Sequence, residues 1–171
     1  MTSNSVETNL KKIAIQRKAF FCLSLFCFLL FFACDADRTY FHQYKNVNTD
    51  GWMADDTIVF HITPSSQNQL LSAEIGVRTT DAFKYNTLFL LGTLSREGME
   101  ISTDTIFVNI YGRRGEVKGK GLIYPLCTQS LPSFEVDSAM EYTYTVRPFM
   151  KPKIVEGVKD VGLKLRIDRG D

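Results

Sequence analysis

Cys34 is the side chain in this sequence best placed for covalent chemistry, because it closes a long apolar run and charged residues follow it at once. A thiol at that junction could carry a lipid. The remaining reactive groups are scattered. The sequence holds four cysteines and two histidines. Cys22 and Cys27 lie inside the apolar run, which leaves Cys127 alone in the remainder. A nucleophilic cysteine needs a base beside it. Neither His42 nor His61 lies near Cys127 in sequence, so Cys127 reads as a buried or inert thiol. No His-rich metal set and no Cys-x-x-Cys pair can be assembled from this inventory. The adjacent acids Asp55 and Asp56 come nearest to a cation site, yet such pairs at a strand start are ordinarily solvated. There is no Gly-x-Ser-x-Gly elbow. Gly119-Lys120-Gly121 lacks the upstream glycine spacing and the following Ser or Thr of a phosphate loop. The expectation is a protein without enzymatic activity, metal or cofactor.

The elements around Cys34 give its chemistry a setting. Residues Phe20 to Cys34 read FFCLSLFCFLLFFAC, with Ser24 as the only polar member. Lys11, Lys12, Arg17 and Lys18 precede the run, and the small Ala33 stands just before the cysteine. Charged, then apolar, then small is the layout of a secretory signal. The run is shorter than the roughly 20 apolar residues a spanning helix needs. Phe31-Phe32-Ala33-Cys34 resembles the lipobox cut by bacterial lipoprotein signal peptidase, with Phe31 where the consensus prefers Leu. The resemblance implies a signal peptide of residues 1–33, a diacylglycerol on Cys34 and an acylated new amino terminus. Two or more acyl chains hold a protein durably to a bilayer.

Removal of the signal leaves 16 basic against 18 acidic residues from the full 20 and 19. No basic field remains to attract nucleic acid. One thiol besides Cys34 permits no internal disulfide. Residues 34–54 read as a tether and amino-terminal segment bearing Tyr40, Phe41, Tyr44 and Trp52. These aromatics either staple the segment onto the domain or form stacking platforms for a sugar or a partner.

Residues 55–171 read as one all-β domain. Ile58, Phe60 and Ile62 alternate with other side chains, as do Leu71, Ala73, Ile75 and Val77. Ile106, Val108 and Ile110 follow the same period, then Met140, Tyr142, Tyr144 and Val146, then Val161, Leu163, Leu165 and Ile167. A period of two places successive side chains on opposite faces of a sheet. Thr87 to Leu94 is continuously apolar and predicts a central strand buried on both faces. Turn residues punctuate the pattern at Asn48–Gly51, Thr63–Asn68 and Gly112–Gly115. Together these segments predict a single antiparallel sandwich, jelly-roll-like, of about eight strands. Arg78, Tyr85 and Asn86 are candidate contacts with a partner or glycan, alongside Trp52; the plainer account pairs Arg78 with a carboxylate on the neighbouring strand. Arg113, Arg114, Lys118 and Lys120 form a basic hairpin, read as a solvated edge that discourages sheet pairing or as a contact for anionic headgroups.

The chain from Cys34 onward resembles the gliding motility lipoprotein GldH family of Bacteroidota. The resemblance rests on Cys34 and Asp35 followed by Tyr40, Tyr44 and Trp52; on Asp56-Thr57-Ile58-Val59-Phe60; on Val77-Arg78 with Tyr85-Asn86-Thr87-Leu88-Phe89-Leu90; and on the Gly-rich stretch from Gly112 to Gly121. Thr79 and Val117 stand where the family usually has Asn and Trp. The resemblance implies a lipid-anchored component of the cell envelope, at the outer membrane, related to the gliding machinery and meeting envelope protein partners. The alternative is a surface glycan-binding lipoprotein, which an exposed, coplanar aromatic platform would favour.

Overall fold

The computed structural model describes residues 39–63 and 66–168. The expected signal peptide, Cys34 and the start of the tether lie outside the described residues. Every regular element among the described residues is a strand: β1 (Thr39–Asn46), β2 (Trp52–Met53), β3 (Ile58–Ile62), β4 (Gln69–Thr79), β5 (Thr87–Arg96), β6 (Met99–Asn109), β7 (Leu126–Val136), β8 (Tyr142–Pro148), β9 (Ile154–Val155) and β10 (Val158–Ile167).

The pairing is nested. β1 pairs with β10, β2 with β9, β3 with β8, β4 with β7 and β5 with β6, all antiparallel. This is one long hairpin, rolled until β10 also meets β4 and β8 also meets β5. Rolling yields one sheet ordered β1-β10-β4-β7, a second ordered β3-β8-β5-β6, and the small β2-β9 ribbon. That order is a jelly roll, the architecture the alternating segments predict.

Alternation delivers the core. Leu71, Ile75 and Val77 of β4 and Val161, Leu163 and Leu165 of β10 are buried in the same cluster as Leu88 and Leu90 of β5, Ile106 and Val108 of β6, and Phe60 of β3. Each such side chain contributes about 1.5–3 kcal/mol by leaving water. Trp52 joins them at 1% exposure, and its indole N–H donates to the Asp56 carbonyl at 2.9 Å. It is therefore a core anchor and not a contact for glycan or partner. The segment expected as a tether is likewise structural from Thr39 onward, since β1 forms an edge of the first sheet.

Two further expectations change. β5 is central in its sheet, but only one of its faces is buried; Phe89 on the other is partly exposed and meets Phe107 edge to face at 5.4 Å. A two-layer sandwich has no third layer to cover that side. β7 escapes the period-two pattern because its register shifts between Leu71 and Ala73 of its partner, at a bulge that contains Pro132.

The outer face of the first sheet has its own small cluster. Gly162 of β10 lies opposite Gly76 of β4, and the Tyr44 ring covers both. A Cβ on Gly162 would sit 2.5 Å from that ring. The Arg78 guanidinium lies 4.7 Å from the centre of the same ring. Glycine is what lets the ring lie this close to the backbone.

Candidate functional site

The connection between the two sheets builds the most developed surface feature. After β6 ends, residues 110–125 form an arm before β7 begins at Leu126. Gly115 closes its turn by donating to the Gly112 carbonyl at 3.0 Å, with a φ of 79° that glycine adopts without strain. Glu116 folds back over the turn: its carboxylate accepts the Arg114 backbone N–H at 3.0 Å and pairs with Lys118 Nζ at 3.0 Å. Bonding to its own amide, to Lys118 and to the Arg114 amide holds the Glu116 carboxyl below its ordinary pKa. Tyr111 bridges to Val117. At the base of the arm Lys120 and Leu126 exchange two backbone hydrogen bonds, 3.0 and 2.8 Å. The loop between them carries Leu122 and Ile123 out into solvent, while Lys159 Nζ lies 3.4 Å from the Tyr124 ring centre.

Beneath the arm lies an open cleft of about 1150 Å³. Its walls are Asn86 just before β5 and Thr87 at its start, Asn109 at the end of β6 and Tyr111 beyond it, the cationic arm, and Thr128 and Gln129 of β7. Thr87 Oγ1 donates to Asn109 Oδ1 at 3.0 Å. The arm contributes Arg113, Arg114, Lys118 and Lys120 against the single carboxylate of Glu116, which Lys118 already engages. The cleft is therefore positive, rich in amides and hydroxyls, and of ligand-binding size. Cys127 lies at its floor, and burial pushes its thiol pKa up, which leaves it protonated and unreactive.

The structure separates the residues singled out from sequence. Asn86 lines the cleft, and its carbonyl accepts the backbone N–H groups of Ile110 and Tyr111 at 2.8 and 3.0 Å. Tyr85 is partly exposed and stacks edge-on against Phe83 at 5.7 Å. Arg78 sits elsewhere, on the outer face of the first sheet, where its Nε donates to Asp160 Oδ1 at 2.7 Å. That bond raises the Arg78 pKa further. The plainer account of Arg78, a cross-strand ion pair, is what the geometry holds. Among the described residues no group of His, Cys, Asp and Glu could hold a metal ion. Sequence reasoning missed Thr128, Gln129 and Asn109, because nothing in one strand's sequence says that it will lie at a sheet edge.

Comparison with known proteins decides the lineage. The family described as GldH lipoprotein matches residues 39–165, the whole of the sandwich but its last strand's end. The chain belongs to the GldH lipoprotein family. Membership in the GldH family makes it a lipid-anchored protein of the cell envelope. No curated protein sequence matches it. Among solved structures, dimeric latent PorU from Porphyromonas gingivalis is 13% identical with a TM-score of 0.32; the alignment covers 80% of this chain and 14% of the PorU chain. Eiger TNF from S. frugiperda is 10% identical with a TM-score of 0.35, covering 78% of this chain and 97% of that one. Neither likeness bears on function. The GldH match spans the cleft, the cationic arm and Asn86 together.

Proposed function

We propose that this chain is a non-catalytic accessory component of the envelope machinery that drives gliding, held at the outer membrane by acyl chains on Cys34. The observation that carries the reading is the GldH family match over residues 39–165. The site chemistry agrees with it. The cleft presents cations, amides and hydroxyls with one neutralised carboxylate and a buried thiol, a set suited to holding a partner rather than to acid–base or nucleophilic chemistry. The aromatics weighed for a glycan platform do not form a flat one. Trp52 is buried, and the exposed Phe89 and Phe107 rings stand at 81° to each other. Sugar rings stack on a flat face, which that pair does not offer.

The test is metabolic labelling with palmitate in the native organism. Wild-type chain is expected to incorporate label and fractionate with the outer membrane. Cys34→Ala is expected to accumulate as unlabelled precursor and to abolish gliding. Undiminished labelling of Cys34→Ala, or normal gliding without the chain, overturns the reading.

A further inference from the structure

We propose that the cleft under the arm is a strand-addition site for an extended, acidic segment of an envelope protein. This rests on the reading of the chain as a partner-binding envelope component, and it names the partner's chemistry.

The argument starts from the hydrogen bonds of Leu126. Its N–H and C=O both bond Lys120, which lies on the side away from β4. Backbone groups along a strand alternate sides with a period of two. β7 keeps regular register with β4 from Leu126 through Ser130. Thr128 and Ser130 therefore also turn their amide and carbonyl groups away from β4. No further strand hydrogen-bonds β7 on that side among the described residues, because β7 ends the sheet order. The Ser130 carbonyl takes the Gln129 side-chain amide at 3.1 Å; Thr128 has no such substitute. Lys120 thus begins a ladder against β7 that stops after one residue pair. The cleft is the space in which it would continue, since Thr128 and Gln129 line it.

Natural sheets blunt their edges with proline, bulges or short strands. β7 follows this rule in its second half, where Pro132 and the bulge lie. In the other sheet one edge, β3, has five residues, and the opposite edge, β6, has eleven. The stretch 127–130 carries none of these devices. In this part of the edge the cover is the cationic arm alone, which stands off Thr128 and Gln129 across the cleft.

Charge selects the occupant. Arg113, Arg114 and Lys120 have no ion-pair partner among the described residues, while Lys118 has Glu116. An extended segment with acids at alternate positions would pair its main chain with Thr128 and Ser130 and send carboxylates to these cations. A second copy of the chain fits poorly, because its own β7 brings only Glu135. The anchoring bilayer fits poorly too. The arm stands at the Leu126 end of β7, and Thr39 stands at the opposite end of the same sheet on the far edge strand. A saccharide could answer the cations but not the open ladder.

The test uses purified full-length chain in detergent and a fluorescein-labelled eight-residue peptide of alternating valine and glutamate, read by anisotropy. Binding is expected, together with a shift of the Thr128 amide resonance. Arg113→Gln with Lys120→Gln is expected to weaken it about tenfold, as two exposed charge pairs would. The decisive probe leaves the protein untouched. N-methylation of alternate peptide amides keeps every carboxylate but deletes ladder donors, and it should abolish binding. The inference is overturned if the methylated peptide binds as well as its parent, if an oligogalacturonate displaces the peptide at equal carboxylate concentration, or if the peptide does not bind. None of these results touches the lipidation or gliding assays, so the two readings fail separately.

Discussion

Replacing Gly162 with alanine gives the sharpest test of the packing, because its sign depends on one neighbour. Alone in a strand, glycine is destabilising by about 0.5–1 kcal/mol relative to alanine, so Gly162→Ala would ordinarily strengthen β10. Here the added methyl would lie 2.5 Å from the Tyr44 ring. The ring must move, giving up its place over Gly76 and its contact with Arg78. Overpacking of this kind costs about 1–3 kcal/mol. The net expectation is a loss of about 1–2 kcal/mol in the wild-type background. With Tyr44→Ala already in place, the same change should be neutral or stabilising. The coupling in the cycle is then about 2 kcal/mol, within the range for residues in contact. Urea unfolding followed by fluorescence measures all four proteins, since Trp52 is the only tryptophan and is buried. If Gly162→Ala has the same effect with and without Tyr44, the ring does not constrain that backbone and the account of the cluster is wrong.

Two further outcomes follow from buried acids. Burial, and secondarily Asp104, pushes the Tyr144 pKa up to about 12 from an ordinary 10. A raised folded pKa means that the unfolded state loses its proton first as pH rises. Stability from this group is present below pH 10 and is lost between about 10 and 12, by about 2–3 kcal/mol. Tyr144→Phe should flatten that alkaline limb in urea titrations; an unchanged slope would sink the assignment. Cys127, buried and held protonated, should react with a disulfide reagent far more slowly in the native protein than after unfolding in urea. Equal rates would mean that the floor of the cleft is open.

How far the sequence carried the structure depends on where each strand lies. β8 alternates cleanly, and β4 and β10 do so apart from interruptions that include Gly76 and Gly162 under Tyr44, because each is flanked by strands on both sides and covered on one face. β7 and β1 lie at edges, where half the face is rim and a bulge breaks the count. The β1 segment read as a tether, and β7 offered no alternation to read, for that reason. β5 misled in the opposite direction: Phe89 and Leu91 read as buried, but both lie on an open face, where Leu91 is half-buried and Phe89 meets Phe107. At the candidate site the cations and Asn86 were visible as residue types. The cleft was not, because it exists only where β6 and β7, edges of different sheets, fail to join.

The nested pairing has a consequence for assembly. β10 is the last of the described strands, yet it fills the slot between β1 and β4. Until it arrives, β1, the first strand described, has no neighbour in its own sheet. The earliest and latest parts of the domain thus wait for each other, and closure must span almost its whole length. Topologies dominated by such distant contacts fold slowly. The sheet therefore stays open until β10 is available to pair, and β1, β10 and β4 then lock as a unit.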